Sequence, residues 1–404
     1  MIDYQNIKKI CRQDSIIAQS VVDDFLIHYA AKQNNQEREA NQKLAKYKHI
    51  TGKQDPGWVK FLETQYVAHR IFRKDGLIKK YLNHSALKNL TLKERNYLER
   101  ESTIPWRFSF STVTANPEHD FYEMEDIFSE EAFLLYSPGI TNILKAGKRL
   151  LWFNLIGFNG YCWQSFGPIN GYKSFESDDI FFYATELAPS IEDEDDVIKD
   201  IDNDPIPYMM LLSGSEYPLA FHKDEQFVFN QGDYEADSFA LKKSRKHFVM
   251  ESVGNVHCYG LKEWNGFPHF AQIYHDEDTQ TVLLTSMTDK GFSKLVATLN
   301  SEGLDLSEYP SIRLNPTMLT TAGEILKKQI ELNEYEKLFT KKSTPIEQKR
   351  LDKINNLIEL MLPEINAGKH PDLQALAKKT GIELRTIKDI AARLTDTKNR
   401  NTKT

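Results

Sequence analysis

Residues 149–169 read RLLWFNLIGFNGYCWQSFGPI. An apolar run meets Asn159-Gly160, and a second aromatic run follows. Asn-Gly accepts the positive φ values of a tight reversal, so the pair predicts a β-hairpin. Upstream, WRFSFSTVTA alternates Trp106, Phe108 and Phe110 with smaller residues at the period of a strand. Between Trp106 and Tyr183 stand 19 of the chain's 46 aromatic residues. Together these features predict a small, strongly twisted antiparallel sheet or partial barrel over residues 105–188.

Aromatic side chains in so small a sheet bury large areas and are expected in its core. Charge supports that against a stacking platform for single strands or a sugar cleft. The same span carries 5 Lys/Arg and 10 Asp/Glu, the wrong sign for an electrostatic funnel. Gly157, Gly160, Gly167 and Gly171 fit neither the dinucleotide fingerprint nor the phosphate loop, and read as turns and bulges.

Around this sheet the chain divides by pattern. Residues 1–104 read as a helical region. Ile17, Val21, Phe25 and Tyr29 fall on one face at steps of four, Trp58, Phe61, Leu62 and Phe72 have compatible spacing, and Thr91 with Glu94 forms a capping-box pair. Residues 33–50 are polar almost all round and read as a solvated helix or arm. Residues 189–207 hold eight acids between Glu192 and Asp204 against one lysine, with three prolines, and read as an exposed acidic linker. Residues 208–340 read as an α+β domain. The stretch VHCYGLKEWNGFPHFAQIYHDEDTQTVLLTSMT is expected to give three strands, turning first at Asn265-Gly266 and then at the polar DEDTQ, followed by a helix over DKGFSKLVATLN that turns Phe292, Leu295, Val296 and Leu299 inward under a Thr288 or Asp289 cap, and a long helix at 319–339. Residues 341–404 read as a basic helical module. The expected class is α+β: a helical N-terminal region, an aromatic antiparallel sheet or partial barrel, a second β-meander-plus-helix unit, and C-terminal helices.

A chain of 404 residues with 40% hydrophobic and 27% charged side chains can build real cores without disulfides. Its three cysteines, Cys11, Cys162 and Cys258, are widely spaced and form no C-x-x-C, which predicts a reducing compartment. The N-terminus lacks the apolar stretch of a signal peptide, and no apolar run approaches the roughly 18–20 residues of a spanning helix. The expectation is a soluble cytoplasmic protein without a membrane partner. Net charge is −7, and residues 341–404 hold 14 Lys/Arg against 8 Asp/Glu, a balance of +6 that leaves −13 on residues 1–340. Only the C-terminal module has the sign that a polyanion attracts.

Within that module lies DLQALAKKTGIELRTIKDIAARL, residues 372–394. A helix-turn-helix needs a small residue in its first helix, a turn residue tolerant of left-handed backbone, and apolar positions seating the second helix. Ala377, Gly381, and the set Ile382, Ile387, Ile390 and Leu394 fill those places, and Leu373 and Leu376 complete the first helix's inner face. This spacing resembles the general helix-turn-helix pattern of bacterial regulators, over these residues alone and without pointing to one family. The candidate nucleic-acid contacts are Arg385, Thr386, Lys388 and Arg393. Glu383 and Asp389 on the same face work against them.

Two other readings compete with DNA contact by residues 341–404. His247, His257, Cys258, His269 and His275 fall within 29 residues, but at the spacing of no familiar zinc site. If the chain is an enzyme, it is a hydrolase working between the two sheet units near 267–277, with His269, His275, Asp276 and Glu277 as its candidate catalytic residues. The run DIDND at 200–204 lacks the turn glycine of a calcium loop, since Pro205 follows, and has Leu211 at the twelfth position. No metal and no cofactor are expected. In the third reading the 33–50 arm and the acidic linker serve a protein partner or self-association in a larger assembly. The preferred reading is a non-enzymatic regulatory or adaptor protein.

Overall fold

The computed structural model describes residues 2–144, 150–214, 217, 219–235, 246–339 and 345–401. The chain divides into two compact units, residues 1–217 with 320–328, and residues 218–319 with 329–404. The class is α+β.

The first unit begins helically. Helix α1 (Tyr4–Ile17) passes through a π-helical stretch (Ala18–Leu26) into α2 (Ile27–Gln33), followed by α3 (Gln36–Ala45), α4 (Lys48–Thr51), α5 (Pro56–Phe72), α6 (Ile78–Tyr81) and α7 (Leu92–Glu101). Of the face predicted from steps of four, only Val21 is buried. Ile17, Phe25 and Tyr29 are half-buried, while Val21, Val22, Leu26, Ile27 and Ala30 are buried. The wider π turn rotates the apolar stripe between the two helices. The polar arm at 33–50 is largely helix α3, anchored by buried Ala40 and Leu44. The capping box of Thr91 and Glu94 opens α7.

Strands β1 (Arg107–Glu118), β2 (Phe121–Asp126) and β3 (Ala132–Tyr136), helix α8 (Pro138–Leu144), and strands β4 (Leu151–Phe158) and β5 (Trp163–Tyr172) follow. They close a barrel in the order β1-β2-β3-β5-β4, antiparallel except for the parallel β3–β5 pair. Tyr122, Met124, Phe133, Leu135, Trp152 and Ile156 fill the interior, and Ile140 of α8 joins them. Alternation sends Phe110 and Phe153 to the outer face, where their rings stack at 4.1 Å. Trp106 lies over that side, stacked on Phe72 of α5 at 4.1 Å. Gly157 admits it, since a β-carbon there would come within 2.4 Å of the indole. The reversal between β4 and β5 is a four-residue loop in which Gly160 takes φ 90° and the Asn159 side chain caps Tyr161 and Cys162.

Helices α9 (Ser177–Leu187), α10 (Glu194–Asn203) and α11 (Ile206–Met209) complete this part. The stretch 189–207, expected as an exposed linker, is therefore mostly folded. Asp193 caps α10 and Glu194, Asp195 and Asp196 occupy its first turn, where the helix dipole favours negative charge. Val197 and Ile201, four apart, bury the inner face.

The second unit has a short β6–β7 pair (Phe221–His222, Glu225–Gln226) and the strands β8 (Phe229–Glu235), β9 (Phe248–Val253), β10 (Val256–Leu261), β11 (Gln272–Asp276) and β12 (Thr281–Ser286), then α12 (Asp289–Ser301) and β13 (Ile312–Leu314). The large sheet is antiparallel in the order β13-β8-β12-β11-β10-β9. Phe292, Leu295, Val296 and Leu299 of α12 pack on one face, and Thr288 is the cap. The long helix expected at 319–339 is two elements. Helix α13 (Pro316–Leu326) stops where Lys327 takes φ 55°, and α14 (Glu336–Phe339) restarts after Asn333, whose side-chain Oδ1 accepts the Tyr335 and Glu336 amides. Tyr335 is buried on the second face of the sheet with Cys258, Tyr274 and Leu283. Helices α15 (Pro345–Asn366), α16 (Leu373–Thr380) and α17 (Leu384–Asn401) end the described chain.

Candidate nucleic-acid interface

Helices α15, α16 and α17 share one core. Leu357, Met361 and Ile365 from α15 and Ile387 from α17 are buried, and Leu373, Leu376, Ala377, Ile382, Ile390, Ala391 and Leu394 pack around them. Asp372 starts α16 by accepting the Gln374 and Ala375 amides at 3.0 Å each. Gly381 ends it at φ 67° and ψ 25°, donating its amide to the Ala377 carbonyl. That left-handed residue lets the chain reverse direction and enter α17 after three residues. The apolar positions at 387, 390, 391 and 394 then face the core, and Lys388 and Asp389 between them are exposed.

Of the four predicted contacts, Arg385 and Lys388 are exposed and Thr386 is half-buried. The side chain of Arg393 lies outside the described residues, as do residues 340–344 and 402–404 of the basic segment. Among the described residues, neither Arg385 nor Lys388 has a hydrogen bond or an ion pair. Glu383 and Asp389 are exposed on the same side. Lys378 and Lys379 in the last turn of α16 are exposed as well, and were not among the sequence candidates. Their signal was a lysine pair just before the turn glycine, where cations also suit the helix dipole.

The hydrolytic candidates are not gathered at one point. His269 precedes β11, bonded through Nδ1 to the Thr288 hydroxyl at 2.7 Å and lying 4.5 Å from the Trp264 ring. Thr288 in turn caps α12, so His269 ties the hairpin to that helix, and burial holds its imidazole below the usual pKa. His275 stands on β11 opposite His257, ring centroids 6.0 Å apart. Burial, then the neighbouring His257, lowers its pKa. Asp276, next along the strand, points to the other face. Its carboxylate accepts the Asp278 amide at 2.9 Å and the Tyr335 hydroxyl at 3.1 Å. Burial alone would raise the Asp276 pKa, but these hydrogen bonds hold it below the ordinary value.

Glu277 is exposed and lies 3.1 Å from Nε2 of His257, whose Nδ1 meets the Ser252 hydroxyl at 2.7 Å. This serine–histidine–carboxylate chain runs across the surface of β9 and β10, where Ser252 and Glu277 are open to water. A cavity of about 320 Å³ in the second unit is lined by Phe229, Phe270, Tyr274, Phe339, Asn333 and Glu336 among others, and by none of the four candidates. Among the described residues, no three His, Cys, Asp or Glu side chains are placed to hold a metal ion, and no helix is long and apolar enough to cross a membrane. Comparison with protein-family models, curated proteins and solved structures found no match.

Proposed function

We propose that this chain is a non-enzymatic regulatory or adaptor protein whose C-terminal three-helix module contacts nucleic acid through α17. The observation that carries the reading is the pairing of a left-handed Gly381 turn with an outward α17 face. Arg385 and Lys388 are exposed there without internal partners among the described residues. A helix held by its apolar side against two others, with cations on the free side, is the arrangement that reads a groove or a phosphate row. Thr386 and Arg393 belong to the same proposed surface. Glu383 and Asp389 beside the two cations reduce the net attraction, so binding leans on few phosphate contacts and its salt slope is shallow, roughly one unit for each contact.

The test is fluorescence anisotropy of the full-length protein with a labelled DNA duplex across a salt series. Binding at low salt is expected. The Arg385→Ala and Lys388→Ala variants should each lower the slope of log affinity against log salt by roughly one. No binding at micromolar protein and low salt would refute the proposal.

A further inference from the structure

The sulfurs of Cys11 and Cys162 lie 3.5 Å apart, although the residues are 151 positions apart in sequence. Cys11 comes from α1 and Cys162 from the loop between β4 and β5. Both thiols are free and buried, at 0% and 1% exposure. They sit in a small apolar cluster where Ile7 of α1 meets Phe121 and Tyr136 of the barrel.

The loop is built around the pair. Asn159 uses its carbonyl oxygen to accept the amides of Tyr161 at 3.0 Å and Cys162 at 2.9 Å. Its amide nitrogen then reaches the Cys11 sulfur at 3.2 Å, the Cys162 sulfur at 3.7 Å and the Gln164 carbonyl at 2.8 Å. Gln164 closes the arrangement by donating to the Cys11 backbone carbonyl at 3.0 Å. Two sulfurs are thus held at contact, with an amide N–H directed at one of them.

We infer that Cys11 and Cys162 are a redox couple that forms a reversible disulfide, fastening α1 to the β4–β5 loop. This stands apart from the nucleic-acid reading and needs none of its residues. The oxidant is a hydroperoxide, small enough to reach a buried site. The Cys11 sulfur attacks a peroxide oxygen, the O–O bond breaks, and the departing oxygen leaves as water or alcohol with the thiol proton. Cys11 is then a sulfenic acid. The Cys162 sulfur attacks it, the S–O bond breaks, and the hydroxyl group leaves as water with the Cys162 proton. Two thiols are oxidised, one peroxide is reduced, and one S–S bond forms.

The order of events follows from the hydrogen bonds. The contact with Cys162 lowers the Cys11 pKa, burial opposes this, and Asn159, whose N–H lies nearer the Cys11 sulfur (3.2 Å) than the Cys162 sulfur (3.7 Å), adds to the lowering. The same contact, followed by burial, pushes the Cys162 thiol far upward. Cys11 is therefore the attacking sulfur and Cys162 the resolving one. Cys258 in the second unit serves as an internal control, since burial pushes its thiol up to about 11.

The experiment takes reduced full-length protein, adds hydrogen peroxide, and alkylates the cysteines after unfolding in denaturant. Expected is a peptide joining Cys11 to Cys162, with Cys258 alkylated and all three thiols recovered after dithiothreitol. Cys162→Ser should leave a sulfenic acid on Cys11, trapped by dimedone. The oxidised wild type should also unfold at a higher temperature than the reduced form, because the crosslink closes a long loop. Wild-type protein in which all three cysteines remain alkylatable, or in which Cys11 goes to sulfinic acid without a crosslink, or in which the crosslink engages Cys258, would overturn the inference. The wild-type measurement decides the question even if the serine variant does not fold.

Discussion

In the barrel, Phe110 stacks on Phe153 and reaches Tyr172 and Tyr208, so strands and a helix from distant parts of the sequence share one aromatic cluster. In the C-terminal module, Leu357, Met361, Ile365 and Ile387 meet within a single short stretch of chain. The two regions also differ in what they leave open. On the barrel, α1 covers the side of β2 and β3 that carries Phe121 and Tyr136, with Tyr4, Ile7 and Cys11 against them. The module buries one side of α17 and leaves the other to solvent. Fold does not by itself assign function. The lesson is that the barrel is closed and has α1 packed against it, and the smaller module carries the open face.

The largest effect that would break this contrast lies inside the barrel. Trp152 is fully buried among Tyr122, Met124, Leu135 and Ile156. Trp152→Ala should cost about 3–5 kcal/mol, because a rigid closed sheet cannot collapse around the void. Denaturant unfolding followed by circular dichroism measures it. A loss below about 1 kcal/mol would mean that the barrel repacks freely and is not the rigid partner in the comparison.

A second effect tests the seam between helices and barrel. Glu101 is 3% exposed, accepts the Trp106 indole N–H at 2.8 Å, and lies 3.1 Å from Arg100. Burial outweighs these partners and pushes its carboxyl up to about 7 from an ordinary 4.5. A native pKa above the unfolded one means that the folded state holds the proton more tightly. The stabilisation is fully present below pH 4.5 and is lost as pH rises through about 7, a change of about 3 kcal/mol. Glu101→Gln should flatten stability against pH over that window. An unchanged slope in the variant would assign the dependence to another group.

What could be read beforehand follows the same division. The C-terminal helical hairpin was legible because its signals are local: Ala377, Gly381 and Ile387 lie within it. The meander β10–β11–β12 and the inward face of α12 were legible for the same reason. Barrel closure was not, since the parallel contact of Leu135 with Trp163 leaves no periodic trace in either strand. The acidic run at 192–204 misled because its charge count hid the Val197–Ile201 seam and the dipole at the start of α10. Cys11 and Cys162 seemed unrelated because only the tertiary fold brings them together. Of the candidate contacts, their position on one helix was legible, but their lack of internal partners was not.

Gly381 gives a smaller and sharper test of the module. A β-carbon there would meet only the Lys353 ammonium, at 3.7 Å, so space is not the constraint. The constraint is φ 67°, which costs a side-chain-bearing residue about 1–2 kcal/mol. Gly381→Ala should lower module stability by that amount in thermal unfolding, leaving the barrel transition where it was. No shift at all would show that the turn relaxes to ordinary backbone, and the angle between α16 and α17 would no longer be determined by this residue.

The smallest stability effect carries the most functional meaning. Arg385 and Lys388 are exposed and make no internal ion pair among the described residues. Replacing both by alanine should change unfolding free energy by no more than about 0.5 kcal/mol. Alanine also has the higher helix propensity, which works against any loss. If the same double variant loses most of its affinity for DNA, the two side chains serve a partner and not the fold. A double variant that is clearly destabilised would instead mean that the cations hold the module together, and the contrast between a closed barrel and an open helix face would fail at the point where function was assigned.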